Sequence, residues 1–288
     1  MKKHLSTVLL IGVLLAGVAL LLYPTASDYW NSFHQSRAIS NYAEAVAELS
    51  AVDYEQIWMN ACAYNERMSG RSTPYLLSEQ EWEDYRGQLN MAGDGIMGYI
   101  DIPKINCTLP IYHGTDDAVL QVAVGHIESS SLPVGGVSSH CVLSGHRGLP
   151  SAKLFTDLDQ LAEGDYFQLQ ILNETLTYEV NQIRIVLPEE MSELGIVQGQ
   201  DYCTLVTCTP YGINSHRLLV RGTRIENPSS GSARITSDAI RVDPMLVAPV
   251  LAAPLLFLLA VWLIVNPGGK KKKKKEKLKK SFQKNITP

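Results

Sequence analysis

The pattern of apolar and polar residues divides the 288-residue chain into regions of different character. Two uncharged apolar runs, residues 5–23 and 245–265, are each long enough to cross a bilayer, which takes about twenty residues. Residues 27–67 have apolar positions three to four apart and are predicted to be helical. From residue 96 onward, short apolar runs alternate with turn residues, which predicts roughly seven or eight short strands. The fold is therefore expected to be mainly β, as a closed or sandwich-like domain.

A second, shorter helix is predicted after a break in the first helical pattern. Residues 69–74 are rich in Ser, Gly and Pro, which interrupt helices. Ser78 can cap a new helix, and Glu81 three residues later completes a capping-box signature, so residues 78–88 are predicted to be helical. The predicted organisation is an N-terminal membrane segment over 1–26, a helical arm over 27–95, a β domain over 96–226, a linker over 227–243, a C-terminal membrane helix over 244–266 and a Lys-rich tail over 267–288.

Charge at the two ends predicts how the chain lies in the membrane. A lysine block, residues 270–275, follows the second apolar run, and Lys2 and Lys3 precede the first. Because basic residues beside membrane spans stay on the cytoplasmic side, both termini are predicted to be cytoplasmic and residues 27 to about 240 extracytoplasmic. The alternative for the first run is a cleaved signal peptide, but the run is long for that purpose and residues 24–26 fit a cleavage site poorly.

The charge balance of the outer part excludes some partners. Twelve of the 25 Lys and Arg residues, but only one of the 29 Asp and Glu residues, belong to the two cytoplasmic ends. The outer part is therefore acidic, which argues against binding of nucleic acid or anionic lipid there. The sequence also lacks the common metal-binding, phosphate-binding and dinucleotide-binding motifs, so no cofactor and no metal are expected.

Three residues with complementary chemistry stand at the ends of strand-like runs. Cys208 ends an apolar run and is followed closely by a proline, so its thiol is expected at the rim of the sheet. His146 also ends a strand-like run and shares a face with Ser144 by the period of two. Arg217 follows a turn-rich segment, 209–215, which suits a tight return and would place it beside Cys208. A thiol nucleophile, an imidazole that moves protons and a cation that holds an oxyanion are the parts of a cysteine acyl-transfer site.

Each of these three residues also has a simpler interpretation. Free cysteines are commonly buried structural residues, histidines are often satisfied within a fold, and a lone arginine usually forms a surface salt bridge. Six other histidines are present in the chain, but none has an arguable position at a strand end. Arg147 and Arg221 compete with Arg217 for the cationic role.

Longer strings around these residues carry a resemblance to a known family. The chain reads TLVTCTPYGINSHRLLVRG over 204–222 and VLSGHRGLPSAKLFTDLDQL over 142–161, with GYIDIPKI (98–105), LPIYHGT (109–115), GHIESSSLPVGG (125–136) and EGDYF (163–167). Together these strings resemble the class C, pilin-polymerising sortases of Gram-positive bacteria. The resemblance runs from about residue 27 to about residue 226. It implies an eight-stranded sortase-type β-barrel with an N-terminal helical arm, here flanked by the two predicted membrane helices.

The resemblance also implies a function, that of a membrane-anchored cysteine transpeptidase. Cys208 would be the nucleophile that cleaves an LPxTG-like sorting signal on a pilin and holds the acyl group as a thioester. His146 would be the general acid and base, and Arg217, which matches the family position, would stabilise the oxyanion or the substrate. A lysine of another pilin would then accept the acyl group in an isopeptide bond.

Two other functions are alternatives to pilin polymerisation. One is a housekeeping sortase that anchors proteins to a cell-wall precursor; the C-terminal span and the helical arm argue against it. The other is a non-catalytic scaffold that binds pilins; the intact set of Cys208, His146 and Arg217 argues against that.

Class C sortases usually carry a lid, an Asp-Pro-aromatic motif in the N-terminal arm that plugs the active site. The nearest match here is Thr73-Pro74-Tyr75, which keeps the proline and the aromatic ring but lacks the carboxylate. A weaker latch is therefore expected, held by burial of the tyrosine ring. An ordinary loop between two helices is the alternative.

Two of the remaining cysteines are expected to be structural. An odd total of five leaves at least one thiol free outside the cell, and Cys208 is the natural candidate. Cys141 and Cys203 each precede a proposed catalytic residue by five positions, and this odd offset turns their side chains to the opposite face of the strand. They are expected to be small buried apolar residues, with a disulfide between them as the less favoured alternative. The other two are Cys62 and Cys107, and the cysteine spacing does not fit a metal site.

Overall fold

The computed structural model describes residues 2–69 and 77–227, together with positions 256 and 259. The chain divides into two compact units, Ser27–Thr236 and Met1–Ala26 with Ser237–Pro288. The predicted lid at residues 73–75, the linker beyond residue 227 and the Lys-rich tail lie outside the described residues. So does the second predicted membrane helix, apart from the two isolated positions.

Within the described residues, three helices precede the strands: α1 (Lys2–Ala47), α2 (Ala51–Met68) and α3 (Glu79–Gly87). Among the described residues, one helical segment is long and apolar enough to cross a membrane, by length and composition. It is the part of α1 over Leu9–Ala47. The first predicted span therefore has a matching helix.

Serine caps determine where these helices begin. The predicted helix over 27–67 is interrupted between α1 and α2 because Ser50 caps α2, its hydroxyl accepting a hydrogen bond from the Asp53 backbone amide at 3.2 Å. The capping box predicted at the start of α3 is confirmed. The Ser78 hydroxyl accepts from the Glu81 amide, and the Glu81 carboxylate accepts from the Ser78 amide at 2.9 Å.

Eight strands close into a barrel, as the sequence resemblance implies. They are β1 (Ile96–Ile102), β2 (Cys107–His113), β3 (Val124–His126), β4 (Ser139–Ser144), β5 (Tyr166–Ile171), β6 (Glu174–Val186), β7 (Asp201–Thr209) and β8 (His216–Ile225), with a short helix α4 (Asp117–Leu120) before β3. Their order around the barrel is β1-β2-β3-β4-β7-β8-β6-β5, and β1 pairs with β5 to close it. Neighbours are antiparallel except for the parallel pairs β2 with β3 and β4 with β7. This order places β7 between β4 and β8.

The barrel interior is the main apolar core, and the helical arm packs against it. Leu143 of β4 and Leu205 of β7 have no exposed surface. The Tyr42 hydroxyl of α1 donates to the Met97 carbonyl oxygen at 3.0 Å and accepts from the Leu172 amide at 2.7 Å. This buried tyrosine therefore fixes α1 to β1 and to the hairpin between β5 and β6.

Cys141 and Cys203 lie inside the barrel, turned away from the proposed site. They are register partners on β4 and β7, and both are buried. All five cysteines are free thiols, so no disulfide joins this pair. Burial raises the pKa of the Cys203 thiol well above its usual value. Cys208, on the same strand, is partly exposed, which confirms the orientation predicted from the odd offset.

Candidate active site

Cys208 lies at the end of β7 with its side chain on the outer face of the barrel. It is the penultimate residue of that strand and is partly exposed. Thr207, immediately before it, is buried, and its hydroxyl donates to the Gly145 carbonyl oxygen at 2.7 Å. Because successive side chains on a strand point to opposite faces, the inward-facing Thr207 fixes the outward orientation of Cys208.

The register between β4 and β7 brings His146 beside Cys208. Ser144 pairs with Val206 in this parallel ladder, and the Gly145 amide donates to the Val206 carbonyl oxygen at 3.0 Å. The same register, continued by two residues, places His146 opposite Cys208. The two residues therefore lie just beyond the last hydrogen bonds of the ladder.

Arg217 lies on the other side of Cys208. It is the second residue of β8 and pairs directly with Cys208 across the antiparallel β7–β8 ladder. Directly opposite residues in such a ladder share a face and have Cβ atoms about 5 Å apart. The Arg217 Nη1 donates to the carbonyl oxygens of Asn214 and His216 at 3.3 and 3.2 Å. Within residues 2–69 and 77–227, no carboxylate lies within salt-bridge distance of its guanidinium.

The three residues singled out from the sequence thus form one row across three adjacent strands, in the order His146, Cys208, Arg217. All three are partly exposed. The strand register places His146 and Arg217 on opposite sides of Cys208. In this arrangement one neighbour can move protons while the other holds negative charge.

Gly145 shapes the loop that carries His146. A Cβ atom at this position would lie 2.6 Å from Cδ2 of Phe155, a fully buried ring. The Phe155 amide in turn donates to the His146 carbonyl oxygen at 3.1 Å. Only glycine fits between the end of β4 and this ring, and Phe155 then holds the His146 backbone.

The other histidines of the barrel have structural partners. His126 and His113 each use both ring nitrogens in hydrogen bonds within the fold. The His140 Nδ1 donates to a backbone carbonyl oxygen at 2.8 Å, and its Nε2 accepts from the Thr204 hydroxyl at 2.7 Å. Burial lowers the pKa of His140 to about 4. By contrast, the His146 ring has no hydrogen-bond partner in the described part of the chain.

The competing arginines are engaged elsewhere. Arg147 forms an ion pair within its own loop. Arg221 lies over the Tyr202 ring, 4.3 Å from its centre. Of the three candidates, Arg217 is the one that pairs with Cys208 in the strand register.

An apolar layer lies beside the row on the same outer face. Val142, Val206 and Leu219 are buried there, where they pack with Leu194 of the connection between β6 and β7. Each of the three strand residues is an even number of positions from a member of the row, which places them on the same face of the sheet. The connection between β6 and β7 covers these side chains, so the layer attaches that connection to the sheet beside the row.

Comparisons with proteins of known structure find similar folds that cover about two thirds of the chain. The chain is similar to the crystal structure of sortase C1 from Streptococcus agalactiae, with 53% sequence identity and a TM-score of 0.65, covering 66% of this chain and 99% of that one. It is also similar to sortase C of Clostridium perfringens, whose structure was determined with the C-terminal cell wall sorting motif. That match has 43% identity and a TM-score of 0.59 and covers 67% of this chain and 100% of the other.

Sequence comparisons agree with the structural ones. A family model for the Sortase domain matches residues 100–225. Sortase D of Bacillus subtilis (strain 168) is 33% identical over 131 residues, which are 44% of this chain and 63% of that relative, so the chain spans less than two thirds of its length. The chain belongs to the sortase family, a family of cysteine transpeptidases, and its neighbours of known structure include class C sortases.

Two residues beside the row acquire a role only in the structure. The strand alternation could have placed Thr207 inward, but the partner of its hydroxyl is 62 positions away. From the sequence, Arg147 is only an alternative to Arg217 as the cation of the site. Its contacts with Asp159 and Thr209 join segments 12 and 62 positions away, and no local pattern reports such distant contacts.

Proposed function

We propose that this protein is a membrane-anchored cysteine transpeptidase that cleaves an LPxTG-like sorting signal and joins pilin subunits through lysine isopeptide bonds. The observation that carries the proposal is the row of His146, Cys208 and Arg217 across β4, β7 and β8. Membership of the sortase family supports the reaction class.

The first half of the reaction is acyl transfer to the enzyme. The Cys208 thiolate attacks the carbonyl carbon of the threonine in the sorting signal, and Arg217 stabilises the resulting oxyanion. The Thr–Gly C–N bond then breaks while the S–C bond remains as a thioester. His146 donates a proton to the leaving glycine amine.

The second half transfers the acyl group to a protein lysine. The neutral ε-amine of a second pilin attacks the thioester carbonyl, and His146 accepts the proton from the attacking nitrogen. The C–S bond breaks, Cys208 leaves as a thiolate, and an isopeptide bond joins the two pilins. His146 is then protonated and ready for the next leaving amine.

The site surroundings and the membrane segments support a pilin substrate. His146, Cys208 and Arg217 are all partly exposed, so an extended sorting-signal peptide can reach the row from the outer face. In the proposed topology both termini are cytoplasmic and the barrel is outside, tethered by two spans. Such tethering keeps the enzyme at high effective concentration near membrane-held pilins. A lid at Thr73-Pro74-Tyr75 remains part of the proposal.

Alanine substitution of two different thiols tests the assignment of the nucleophile. The full chain carrying Cys208→Ala is incubated with a sorting-signal peptide and with pilin, and mass spectrometry follows the thioester and the cleaved product. We expect Cys208→Ala to lose both, since the covalent path no longer exists. Cys62→Ala is the matched control, because Cys62 is also partly exposed but lies on α2, and it should retain both. Retention of pilin joining by Cys208→Ala would overturn the assignment as an enzyme.

Identification of the acceptor separates pilin polymerisation from its alternatives. Ladders of pilin containing Lys–Thr isopeptide crosslinks are expected. Pilin joined only to a peptidoglycan precursor would assign the protein to housekeeping anchoring. Pilin assembly that persists after alkylation of Cys208 would assign it to the scaffold function.

A further inference from the structure

Arg147 links the loop that carries His146 to the end of β7, which carries Cys208. It follows His146 directly, and its Nη1 donates to the hydroxyl of Thr209, which follows Cys208 directly, at 3.4 Å. Its Nη2 forms the ion pair with Asp159. Its guanidinium also lies over the Tyr211 ring, 6.0 Å from the ring centre.

This link begins where the sheet hydrogen bonds end. The last described contacts between β4 and β7 are the Gly145 amide with Val206 and the Thr207 hydroxyl with Gly145. His146 and Cys208 lie one step further along. The loop after His146 is held on its other side by a hydrogen bond from the Gly148 amide to the Thr156 hydroxyl at 3.1 Å, but that contact does not reach β7. Arg147 is thus the side chain that continues the β4–β7 connection past the reacting groups.

Burial of the charged Arg147 side chain is unfavourable for stability, which suggests that the residue has a function. Its side chain is only 9% exposed, whereas its partner Asp159 is 47% exposed. Its Nε is buried and has no hydrogen-bond partner among the residues that the structure describes. A buried donor without a partner destabilises the fold. A buried charge that pairs with one exposed carboxylate is also not expected to stabilise the fold by much. The planar guanidinium can contact Asp159, Thr209 and Tyr211 at the same time, whereas the ammonium group of a lysine cannot.

We infer that Arg147 is a positioning residue for the transpeptidation reaction, which holds the His146 imidazole at working distance from the Cys208 thiol. The inference rests on the proposed function. Arg147 acts through His146 and Cys208 and does not contact the reacting atoms. Misplacing a reacting group by about 1 Å can lower a rate by about a hundredfold. Loss of Arg147 should therefore lower kcat by about 10-fold to 100-fold and leave KM within about twofold.

Kinetics per active thiol test this role against a merely structural one. In the full chain, Arg147→Met keeps the side-chain volume but removes the charge and the donors. All variants carry Cys62→Ala, which removes the other partly exposed thiol. The kcat on a sorting-signal peptide is divided by the concentration of Cys208 titrated with an alkylating reagent, so misfolded protein does not count. Lys104→Met is the matched control, because it removes a surface ion pair with Asp165 elsewhere on the barrel, and it should change neither constant. Arg147→Lys should restore part of kcat, as the ammonium can pair with Asp159 alone.

A second measurement needs no substrate and so separates this inference from the proposed function. His146→Cys places a second thiol opposite Cys208. The fraction of protein with a disulfide between these two thiols, measured at equilibrium in a glutathione buffer, gives the effective concentration of one thiol near the other. Adding Arg147→Met should lower that effective concentration at least tenfold, and Lys104→Met should not change it. Thr209→Val removes one contact of Arg147 and should lower the effective concentration less. This variant replaces Arg147→Met if Arg147→Met does not fold.

The outcomes divide cleanly. A wild-type kcat in Arg147→Met, or an unchanged effective concentration, overturns the positioning role. A lower kcat with an unchanged effective concentration would mean that Arg147 contacts the substrate itself. If the unmodified chain fails to cleave any sorting-signal peptide, the proposed function fails, and the disulfide measurement still decides whether Arg147 sets the spacing.

Discussion

Adding one methyl group at Gly145 should disable the site by displacing the loop that carries His146. The new Cβ atom would lie 2.6, 2.9 and 3.1 Å from Cδ2, Cγ and Cε2 of Phe155, closer than a ring can tolerate. Phe155 is fully buried, so the ring cannot swing into solvent. Overpacking of this kind costs about 1–3 kcal/mol. For a folded unit of about 200 residues, that corresponds to a fall in Tm of about 2–12 °C.

The kinetic effect should exceed the effect on stability. Relief of the clash must move either Phe155 or the backbone at Gly145, and Phe155 holds the His146 carbonyl oxygen. A shift of about 1 Å in His146 would lower kcat by about a hundredfold. Thermal unfolding of the full chain in detergent and kcat per alkylation-titrated Cys208, both in a Cys62→Ala background, measure the two effects separately.

Two further variants control this experiment. Gly87→Ala adds the same methyl group at the end of α3, where nothing lies within 4 Å of the new Cβ, and it should be neutral or stabilising by up to about 1 kcal/mol. Phe155→Leu combined with Gly145→Ala should recover part of the loss, since the two changes share one contact. If Gly145→Ala keeps the Tm and kcat of the parent, the packing argument for this loop is wrong.

Three other predictions follow from the site and the topology. Arg217→Lys should lower kcat almost as much as Arg217→Ala, by about 10²–10³-fold, because the planar fork is lost although the charge remains; peptide cleavage kinetics measure this, and a lysine variant with the parent rate would contradict it. Burial lowers the pKa of His140 to about 4, so the unfolded chain binds a proton that the folded chain resists. Stability should therefore fall by about 3 kcal/mol as the pH drops from about 6.5 to 4, and denaturant unfolding of His140→Gln should show a flatter pH profile. In a background carrying Cys62→Ala and Cys208→Ala, which removes both partly exposed thiols, an impermeant thiol reagent applied outside should label a cysteine placed in 230–240 but not one placed in 275–285; labelling of the latter would contradict the two-span topology.

The row could be anticipated from the sequence because each of its members obeys a local rule. Alternation fixed the faces of Cys208 and His146, and the turn between 209 and 215 brought Arg217 back to the thiol. The same rule oriented Cys141 and Cys203 correctly. What no local rule contains is the parallel pairing of β4 with β7, which places the histidine strand next to the cysteine strand.

Sequence patterns could not predict the interruption of the first helix. They could not predict the role of Arg147 either, for a different reason. Apolar positions continue at helical spacing through residues 48–50, so the pattern hides a break that depends on a single hydrogen bond from the Asp53 amide to Ser50. Arg147 differs from Arg217 only in what surrounds it. Its partners are supplied by the 3-10 turn that contains Asp159 and by Thr209 after β7, and these positions become neighbours only when the barrel is closed.

The parallel pairing of β4 with β7 also determines when during folding the chemistry becomes available. Cys208 and Arg217 face each other across a hairpin, a local contact with a small loop-closure cost. The contact between Thr207 and Gly145 closes a loop of 62 positions, for which the length-dependent entropy cost is about 4 kcal/mol. Non-local contacts of this kind form late and slowly. We therefore expect a folding chain to bring Cys208 to Arg217 before it brings Cys208 to His146, the proposed base. A partly folded chain is inert as an acyltransferase until its barrel has closed.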